Sequence, residues 1–227
     1  MASHFAAFPL RRAGAVARAA VALAAALAAA PAAAAEAPPC HSPLNPALET
    51  ICSKTVKTEG NFTLRDLAVG VNVSLVTATT DSDNGDWQFA STFVTQYVLE
   101  YFTGANQKGQ RVATTVPLIY RWPGGPAKIL ASMALPTSVF PDPGLAPAPD
   151  VGVFEPFPPI RVLALSFVTA VAATDTDYAL HCGEVAQKAA DSGLTPVAGA
   201  WEQAWVTYSG RDAAQHVNEC WVQVKAT

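Results

Sequence analysis

Short apolar segments separated by turn residues predict that most of the chain beyond residue 60 folds as β-strands. In the first half, alternating polarity and β-branched residues predict strands at residues 62–67, 69–77, 111–121 and 128–135. The second half repeats the pattern and predicts strands at residues 151–154, 161–167, 201–208 and 217–225. Residues 136–149 contain five prolines, which cannot donate to a sheet ladder, so we expect a loop between the halves.

A stripe of aromatic residues in the first half predicts a helix over residues 87–102. The aromatic residues recur at every fourth position, which puts them on one side of an α-helix: Phe89, Phe93, Tyr97 and Tyr101. Gly104 follows where a left-handed C-terminal cap is expected. Such a stripe either packs in a core or lines a cleft.

A second helix is predicted over residues 175–192. Thr174, with Asp177 three residues on, has the spacing of a capping box, and Gly193 is placed to end the helix. Each half thus has the order strand, strand, helix, strand, strand, which predicts an internal duplication. Because neither half has enough strands to bury both faces of its sheet, we expect a single fused sheet or barrel carrying two helices, an α+β fold.

The composition changes near residue 36. Residues 1–35 contain 19 alanines, three arginines and no acidic residue, and they end in small residues suited to signal peptidase. We predict a cleaved signal peptide at residues 1–35, an N-terminal loop segment at residues 36–60 and one domain at residues 61–227. Sequons at Asn61 and Asn72 predict a secreted glycoprotein. A transit peptide has a similar composition, so a plastid or thylakoid lumen is the alternative.

The charge balance argues against nucleic acid as a partner. The chain has 14 basic and 18 acidic residues, and the leader holds three of the bases. The rest of the chain therefore has no surplus of positive charge to replace counterions on phosphates. No later segment has the roughly 18 continuous apolar residues of a membrane-spanning helix. We expect a soluble monomer.

Four cysteines follow the leader, an even number that favours disulfides. They permit three pairings, of which we favour Cys40–Cys52 and Cys182–Cys220 because the first closes a short proline-containing loop. None of them has the C-x-x-C spacing that is typical of a zinc site.

The sequence predicts no catalytic site. Ser166 lacks the G-x-S-x-G context of a hydrolase nucleophile, and Asp175 and Asp177 are placed to cap a helix. No glycine-rich phosphate-binding loop is present. We therefore expect a binding protein rather than an enzyme; a hydrolase on the same fold is a third possibility, for which the sequence indicates no site.

Three strings in a fixed order resemble the SOUL, or heme-binding protein, family. They are Tyr101-Phe102-Thr103-Gly104-Ala105-Asn106, Arg111-Val112-Ala113-Thr114-Thr115-Val116-Pro117 and Val217-Asn218-Glu219-Cys220-Trp221-Val222. Residues 61–65 are similar to an early strand of the family, and Cys40-His41-Ser42-Pro43 resembles its secreted plant and algal members. The likeness spans about residues 40–225. Thr114 replaces a family methionine, and His216 and Val217 stand where an arginine usually precedes the last string.

The resemblance implies a distorted eight-stranded antiparallel β-barrel flanked by two helices. It also implies non-covalent binding of heme or another tetrapyrrole in a shallow apolar cleft beside a helix, for transport, buffering or scavenging. The candidate contacts are Phe93, Tyr97 and Tyr101 for the macrocycle, Arg65 and Arg111 for its propionates, and His216 for the iron.

The alternative function is an extracellular β-barrel module that binds another amphiphile or a protein partner without heme. The replaced methionine and the displaced arginine favour this alternative. Co-purifying porphyrin in material from the native host would contradict it.

Overall fold

The computed structural model describes residues 40–42, 46–81, 87–122, 128–139, 145–148, 151–199, 201–208 and 214–226. Glu36–Thr227 form one compact unit. The predicted signal peptide at residues 1–35 lies outside the described residues. Within the described ranges, no helix has the length and apolar character needed to span a membrane.

The described residues form strands and two α-helices, so the predicted α+β class is confirmed. The strands are β1 (Cys40–His41), β2 (Glu49–Thr50), β3 (Ser53–Glu59), β4 (Phe62–Leu67), β5 (Val73–Asp81), β6 (Leu118–Arg121), β7 (Lys128–Ala134), β8 (Val153–Phe157), β9 (Ile160–Thr169), β10 (Gln203–Thr207) and β11 (His216–Val224). The helices are α1 (Trp87–Thr103) and α2 (Asp175–Asp191), and Thr137–Val139 form a 3₁₀ turn.

Strands β3 to β11 form one curled sheet in the order β3-β4-β9-β11-β10-β6-β7-β5-β8, while β1 pairs with β2. All neighbouring pairs are antiparallel. The resemblance implied eight strands in a closed barrel. The described sheet has nine strands, and no pairing between described residues joins its edges, β3 and β8. The curled antiparallel sheet with two helices is therefore confirmed, and the closed barrel is not.

Several strands differ from the sequence predictions: β1 and β2 lie in the segment predicted as a loop, β8 is shifted towards Phe157, and β3, β5 and β6 differ most. β3 lies in the segment predicted as a loop; all seven of its side chains are exposed, so it has no buried face for alternating polarity to mark. The strand predicted at residues 111–121 is limited to β6, because Pro117 just before it has no amide hydrogen for a ladder. β5 begins four residues later than predicted, since Ala68 turns the chain with a φ of +54°.

The two helices pack on the same face of the sheet. α1 contacts β5 and β7, and α2 contacts β9 and β11. Tyr120, in the core under α1, pairs with Trp205, and Trp205 pairs with Cys220 in the core under α2. Directly opposed residues of neighbouring strands point to the same side of a sheet. The helices therefore share one face, and β6 and β10 run between them.

The helix ends follow the sequence signals. The α2 capping box is present: the Asp177 amide donates to the Thr174 hydroxyl over 3.2 Å, and the Thr174 amide donates to the Asp177 carboxylate over 2.8 Å. Gly193 follows α2 with a φ of +67°, a backbone conformation that glycine adopts without steric cost. The predicted start and end of this helix are thus confirmed.

The face of the sheet opposite the helices is filled by the protein's own side chains. This core contains apolar residues from both halves of the chain, among them Leu75, Ile119, Phe157, Trp201 and Trp221. Because the sheet curls towards this side, the residues pack against one another across its concave surface. The concave side is therefore a packed core.

The two favoured disulfides, Cys40–Cys52 and Cys182–Cys220, are confirmed. In both, the α-carbons lie 5.2 Å apart. The second disulfide is buried and joins α2 to β11. Two disulfides fit a protein of an oxidising compartment.

Candidate functional site on helix α1

A row of aromatic side chains follows α1 along the side next to β8, and we call it the aromatic flank. It consists of Phe89, Phe93, Tyr97 and Tyr101 of α1 with Phe154 of β8. Phe89 is 63 % exposed, Phe93 42 % and Phe154 37 %, whereas Tyr97 is half-buried and Tyr101 buried. Ring centroids lie 4.6 Å apart for Phe89 and Phe93, and 5.8 Å apart for Tyr101 and Phe154. The row therefore runs from solvent into the core.

Helix geometry explains where the flank lies. Val94 and Val98 are fully buried and mark the side of α1 that packs on the sheet. Phe93 and Tyr97 each come one residue earlier, which is about 100° around the helix. Their rings therefore lie at the border between core and solvent. The structure brings the predicted contacts Phe93 and Tyr97 together on this side of α1. Tyr101, the third predicted contact, is fully buried in the core and cannot touch a ligand on the surface. Phe154 of β8 joins the row, and sequence reasoning missed it because β8 is distant along the chain.

The other side of α1 is fixed to the centre of the sheet. The hydroxyl oxygens of Thr95 and Tyr120 of β6 lie 2.7 Å apart, within hydrogen-bond distance. Burial raises the pKa of Tyr120 to about 12, and the hydrogen bond with Thr95, which lowers the pKa, is the smaller effect. Tyr120 therefore stays protonated at neutral pH, and the contact orients α1 with its aromatic flank away from β6.

Arg111 is exposed just beyond the C-terminal end of α1. The next residue, Val112, donates its amide to the Phe102 carbonyl over 3.0 Å, which places this backbone beside the last turn of the helix. From Phe93 to Phe102 the helix rises about 14 Å. The backbone next to Arg111 therefore lies about 14 Å along the helix from Phe93.

Arg65 is separated from the aromatic flank and already paired. It lies on β4, on the face opposite the helices, and forms an ion pair with the buried carboxylate of Glu219. Glu219 also accepts hydrogen bonds from the Ser166 hydroxyl (2.8 Å), the Tyr208 hydroxyl (2.9 Å) and the Trp221 indole (2.6 Å). The predicted propionate contact therefore belongs to a separate cluster, which sequence reasoning did not find.

Burial and charge oppose each other in the Glu219 cluster. Burial disfavours the charged guanidinium of Arg65, but Glu219 and Tyr208 outweigh it, and the pKa of Arg65 is raised. Burial, and next the negative charge of Glu219, keep the pKa of Tyr208 well above its ordinary value. Arg65 therefore stays charged, and Tyr208 stays protonated and donates to Glu219.

A second ion pair lies on the same face of the sheet, and the sequence analysis did not predict it. The buried Arg121 of β6 donates to both carboxylate oxygens of Glu155 on β8, over 3.1 and 2.6 Å, and to the Ser132 hydroxyl over 3.0 Å. Its guanidinium carbon lies 3.8 Å from the centre of a Trp201 ring. The sequence did contain one indication of this ion pair, because Arg121 ends a strand whose other residues are apolar or aromatic.

The histidines in the described residues do not lie on the aromatic flank. The buried His216 begins β11, which is three strand spacings, about 14 Å, from β7 under α1. The side-chain amide of Asn218 donates to the His216 carbonyl over 3.1 Å. His181 of α2 stacks on Phe167 with centroids 4.1 Å apart, and His41 lies in β1. Across the described ranges, no three His, Cys, Asp or Glu side chains converge as a metal site.

No family model and no curated protein sequence matches the chain. Among solved structures, the C-terminal domain of EcmrR is similar, with 11 % identity and a TM-score of 0.52 over 73 % of this chain and 98 % of that domain. A putative transcription regulation protein from Staphylococcus aureus MU50 (13 % identity, 73 % and 98 % covered) and a hydrolase from Listeria innocua (12 %, 68 % and 86 %) each give a TM-score of 0.41. The likeness to the EcmrR domain concerns the fold alone.

Proposed function

We propose that this protein is a SOUL-type, non-catalytic binder of heme or a related tetrapyrrole, which it holds without a covalent bond on the aromatic flank of α1. The observation that supports the proposal is the exposure of Phe89 and Phe93 together on one side of α1, next to the half-buried Tyr97. Leu99 is also 40 % exposed but lies alone on a different side of the helix. Soluble proteins tolerate single exposed apolar residues, but a contiguous aromatic row indicates a contact surface.

The size of the apolar contact decides whether such binding is strong enough. Micromolar affinity corresponds to about 8 kcal/mol. Each 100 Å² of apolar surface removed from water contributes about 2.5 kcal/mol, so the flank and ligand must together cover more than about 300 Å². A whole aromatic side chain buries roughly 150–250 Å², and the exposed fractions of Phe89, Phe93 and Phe154 together amount to about 1.4 such side chains, so these rings offer roughly 200–350 Å² and the ligand's own apolar face supplies the rest.

The residues present suit the macrocycle better than they suit a histidine-bound iron. In this proposal Phe93, Tyr97 and Phe154 contact the flat apolar face, and Arg111 receives a propionate. Arg65 is excluded because Glu219 holds its guanidinium. Bound heme supplies the iron's redox and ligand-binding chemistry, whereas the protein supplies an apolar surface and one cation.

The order of strands supports the duplication within this proposal. Read outwards from the central β10–β6 pair, β10-β11-β9-β4 on one side corresponds to β6-β7-β5-β8 on the other. In each set the helix connects the third strand from the centre to the central strand: α1 follows β5 and precedes β6, and α2 follows β9 and precedes β10. The two halves are then copies of one unit, joined by the proline-rich segment.

The proposed setting is extracellular, with the monomer as the binding unit and a plastid or thylakoid lumen as the alternative. Two disulfides support an oxidising compartment. Asn61 and Asn72 are both exposed, as glycosylation requires.

Titration of the disulfide-bonded chain with hemin and with metal-free protoporphyrin tests the proposal. We expect a saturable Soret change with hemin and saturable fluorescence with protoporphyrin. Phe93→Ser should weaken the affinities for hemin and for protoporphyrin by about tenfold each, because an exposed ring contributes roughly 1–2 kcal/mol to such a contact. Leu180→Ser is the matched control: Leu180 is 61 % exposed on α2 and should leave both affinities unchanged. Linear absorbance of free hemin, or equal loss in both variants, would overturn the proposal.

The second candidate is an extracellular module that binds another amphiphile or a protein through the same flank. The exposed Phe89–Phe93 pair supports it, since these rings would cover any apolar partner equally well. Native mass spectrometry of protein purified from its own host separates the two candidates. A porphyrin mass supports the first, and a lipid or protein mass without porphyrin supports the second.

A further inference from the structure

We propose that a small cavity beside the end of α2 binds a small apolar monocarboxylate, a molecule with one carboxylate and a single ring or a short alkyl chain. The cavity has a volume of about 100 Å³ and lies between the strands β3, β4 and β9 and the chain around the C-terminal end of α2. None of its lining residues belongs to α1 or β8, so this site is separate from the aromatic flank.

The wall of the cavity is apolar. Phe62 and Leu64 of β4 and Leu163 of β9 line it from the sheet, and Leu194 lines it from the turn that follows α2. Leu163 is buried, whereas the other three side chains are half-buried and keep some surface open to a ligand. The volume is smaller than the roughly 300–1,000 Å³ of pockets for drug-sized molecules and closer to the roughly 150 Å³ of a cavity that holds benzene. The ligand's apolar part is therefore limited to one ring or a short chain.

Two ammonium groups and one carboxylate form the charged part of the lining. The Lys57 Nζ lies 3.2 Å from a carboxylate oxygen of Glu59, and the Nζ of Lys188 on α2 donates to the other oxygen. The side chains of Lys57 and Glu59 are 68 % and 51 % exposed, so this part of the site is open to solvent. The position of Glu59 shows that a carboxylate fits between the two ammonium groups.

Charge favours an anionic ligand at this place. The two lysines and Glu59 have a net positive charge, in a chain whose total charge is −4. Hydrogen bonds from Lys188 and then Lys57 lower the pKa of Glu59, which shows that this environment stabilises an ionised carboxylate. Each ammonium group has three N–H donors, so the lysines can hold Glu59 and a ligand carboxylate together.

The charged and apolar parts of the lining are adjacent. The Lys188 Nζ lies 5.9 Å from the centre of the Phe62 ring. A ligand whose carboxylate contacts the ammonium groups therefore has its ring or chain next to the apolar wall. Binding is non-covalent and transfers no proton or electron, because the carboxylate is already ionised at neutral pH.

Titration of the disulfide-bonded chain with phenylacetate, followed by amide chemical shifts, tests the proposal. We expect saturable shifts at Leu64, Leu163 and Leu194, and weaker binding of phenylacetamide, which keeps the ring without the charge. Lys57→Met should lower phenylacetate affinity by about two- to fivefold, the range that exposed ion pairs support. Glu59→Gln should raise the affinity by a similar factor, because it removes the carboxylate that competes for both lysines.

Lys54→Met is the matched control. Lys54 is exposed on the same strand and is opposite Asp66, outside the cavity lining. The variant changes the net charge of the chain as Lys57→Met does, and it should leave phenylacetate affinity unchanged. Opposite effects of Lys57→Met and Glu59→Gln support the site.

Three results would overturn this proposal: no saturable shifts around the cavity, equal losses in Lys57→Met and Lys54→Met, or equal binding of phenylacetate and phenylacetamide. None of them affects the proposed binding of a tetrapyrrole, which the hemin titration and Phe93→Ser test at different residues.

Discussion

Two arginine–glutamate pairs, each with one buried and one half-buried member, lie on the helix-free face of the sheet. Arg65 and Glu219 join β4 to β11, and Arg121 and Glu155 join β6 to β8. Burying a charge is costly unless a partner and further hydrogen bonds compensate it, and hydroxyl groups add hydrogen bonds to both clusters. The Nε atoms of Arg65 and Arg121 are buried without a partner among the described residues. These pairs connect strands that are distant along the chain, so they stabilise one arrangement of the sheet.

Removing one member of the Arg65–Glu219 pair should be more harmful than removing both. Glu219→Leu leaves a buried guanidinium without its carboxylate, and we expect the free energy of unfolding to fall by about 3–5 kcal/mol. Urea unfolding measures this change. The double variant Arg65→Met/Glu219→Leu should recover most of the loss, because no isolated charge remains. A loss below about 1 kcal/mol in the single variant would show that the pair is not the compensating contact.

Among the elements, α2 shows how local signals and tertiary contacts combine. Its N-terminus is closed by Thr174 and Asp177, and the hydrogen bonds from the Thr174 amide and hydroxyl lower the pKa of the Asp177 carboxyl. Its buried side, Tyr178, Cys182, Val185 and Ala189, packs on β9 and β11. The cap determines where the helix begins, and the packing determines which side faces the sheet.

The capping box makes part of the stability depend on pH. The pKa of Asp177 in the folded protein is below its ordinary value of 3.8. The ionised carboxylate therefore contributes its full stabilisation at pH values above 3.8, and this stabilisation is lost as the pH falls through the folded-state pKa. Asp177→Asn should therefore cost about 1 kcal/mol at neutral pH, and the difference should disappear in acid. Urea midpoints measured across this range check the prediction. An equal difference at all pH values would mean that the carboxylate charge is not involved.

Sequence signals predicted the elements whose pattern is local and missed those that depend on distant partners. Both helices and the Phe93, Tyr97 and Tyr101 stripe were predictable because residue spacing alone defines one side of a helix. β3 was not, since it is exposed on both faces and depends on pairing with β4. The pairing of Arg65 with Glu219 was also hidden, because it requires the order of strands, which periodicity does not reveal.

For the whole molecule, the sheet buries one face within its own curl and covers the other with two helices. The sheet's edges are poor templates for further strands: β3 carries Lys54, Lys57 and a bulge, and β8 contains Pro156. With the concave side packed by residues such as Trp201 and Trp221, a flat ligand is expected on the outer surface. The aromatic flank is the part of that surface that our proposal uses.

The most direct test maps the bound ligand by nuclear magnetic resonance. Amide and side-chain shifts of the disulfide-bonded chain would be recorded as metal-free protoporphyrin is added, which removes any effect of iron. Our account predicts saturable shifts concentrated at residues 89–101 and at Phe154, with α2 and the Glu219 cluster unaffected. Shifts centred on the concave face or on α2, or no saturable shifts at all, would contradict it.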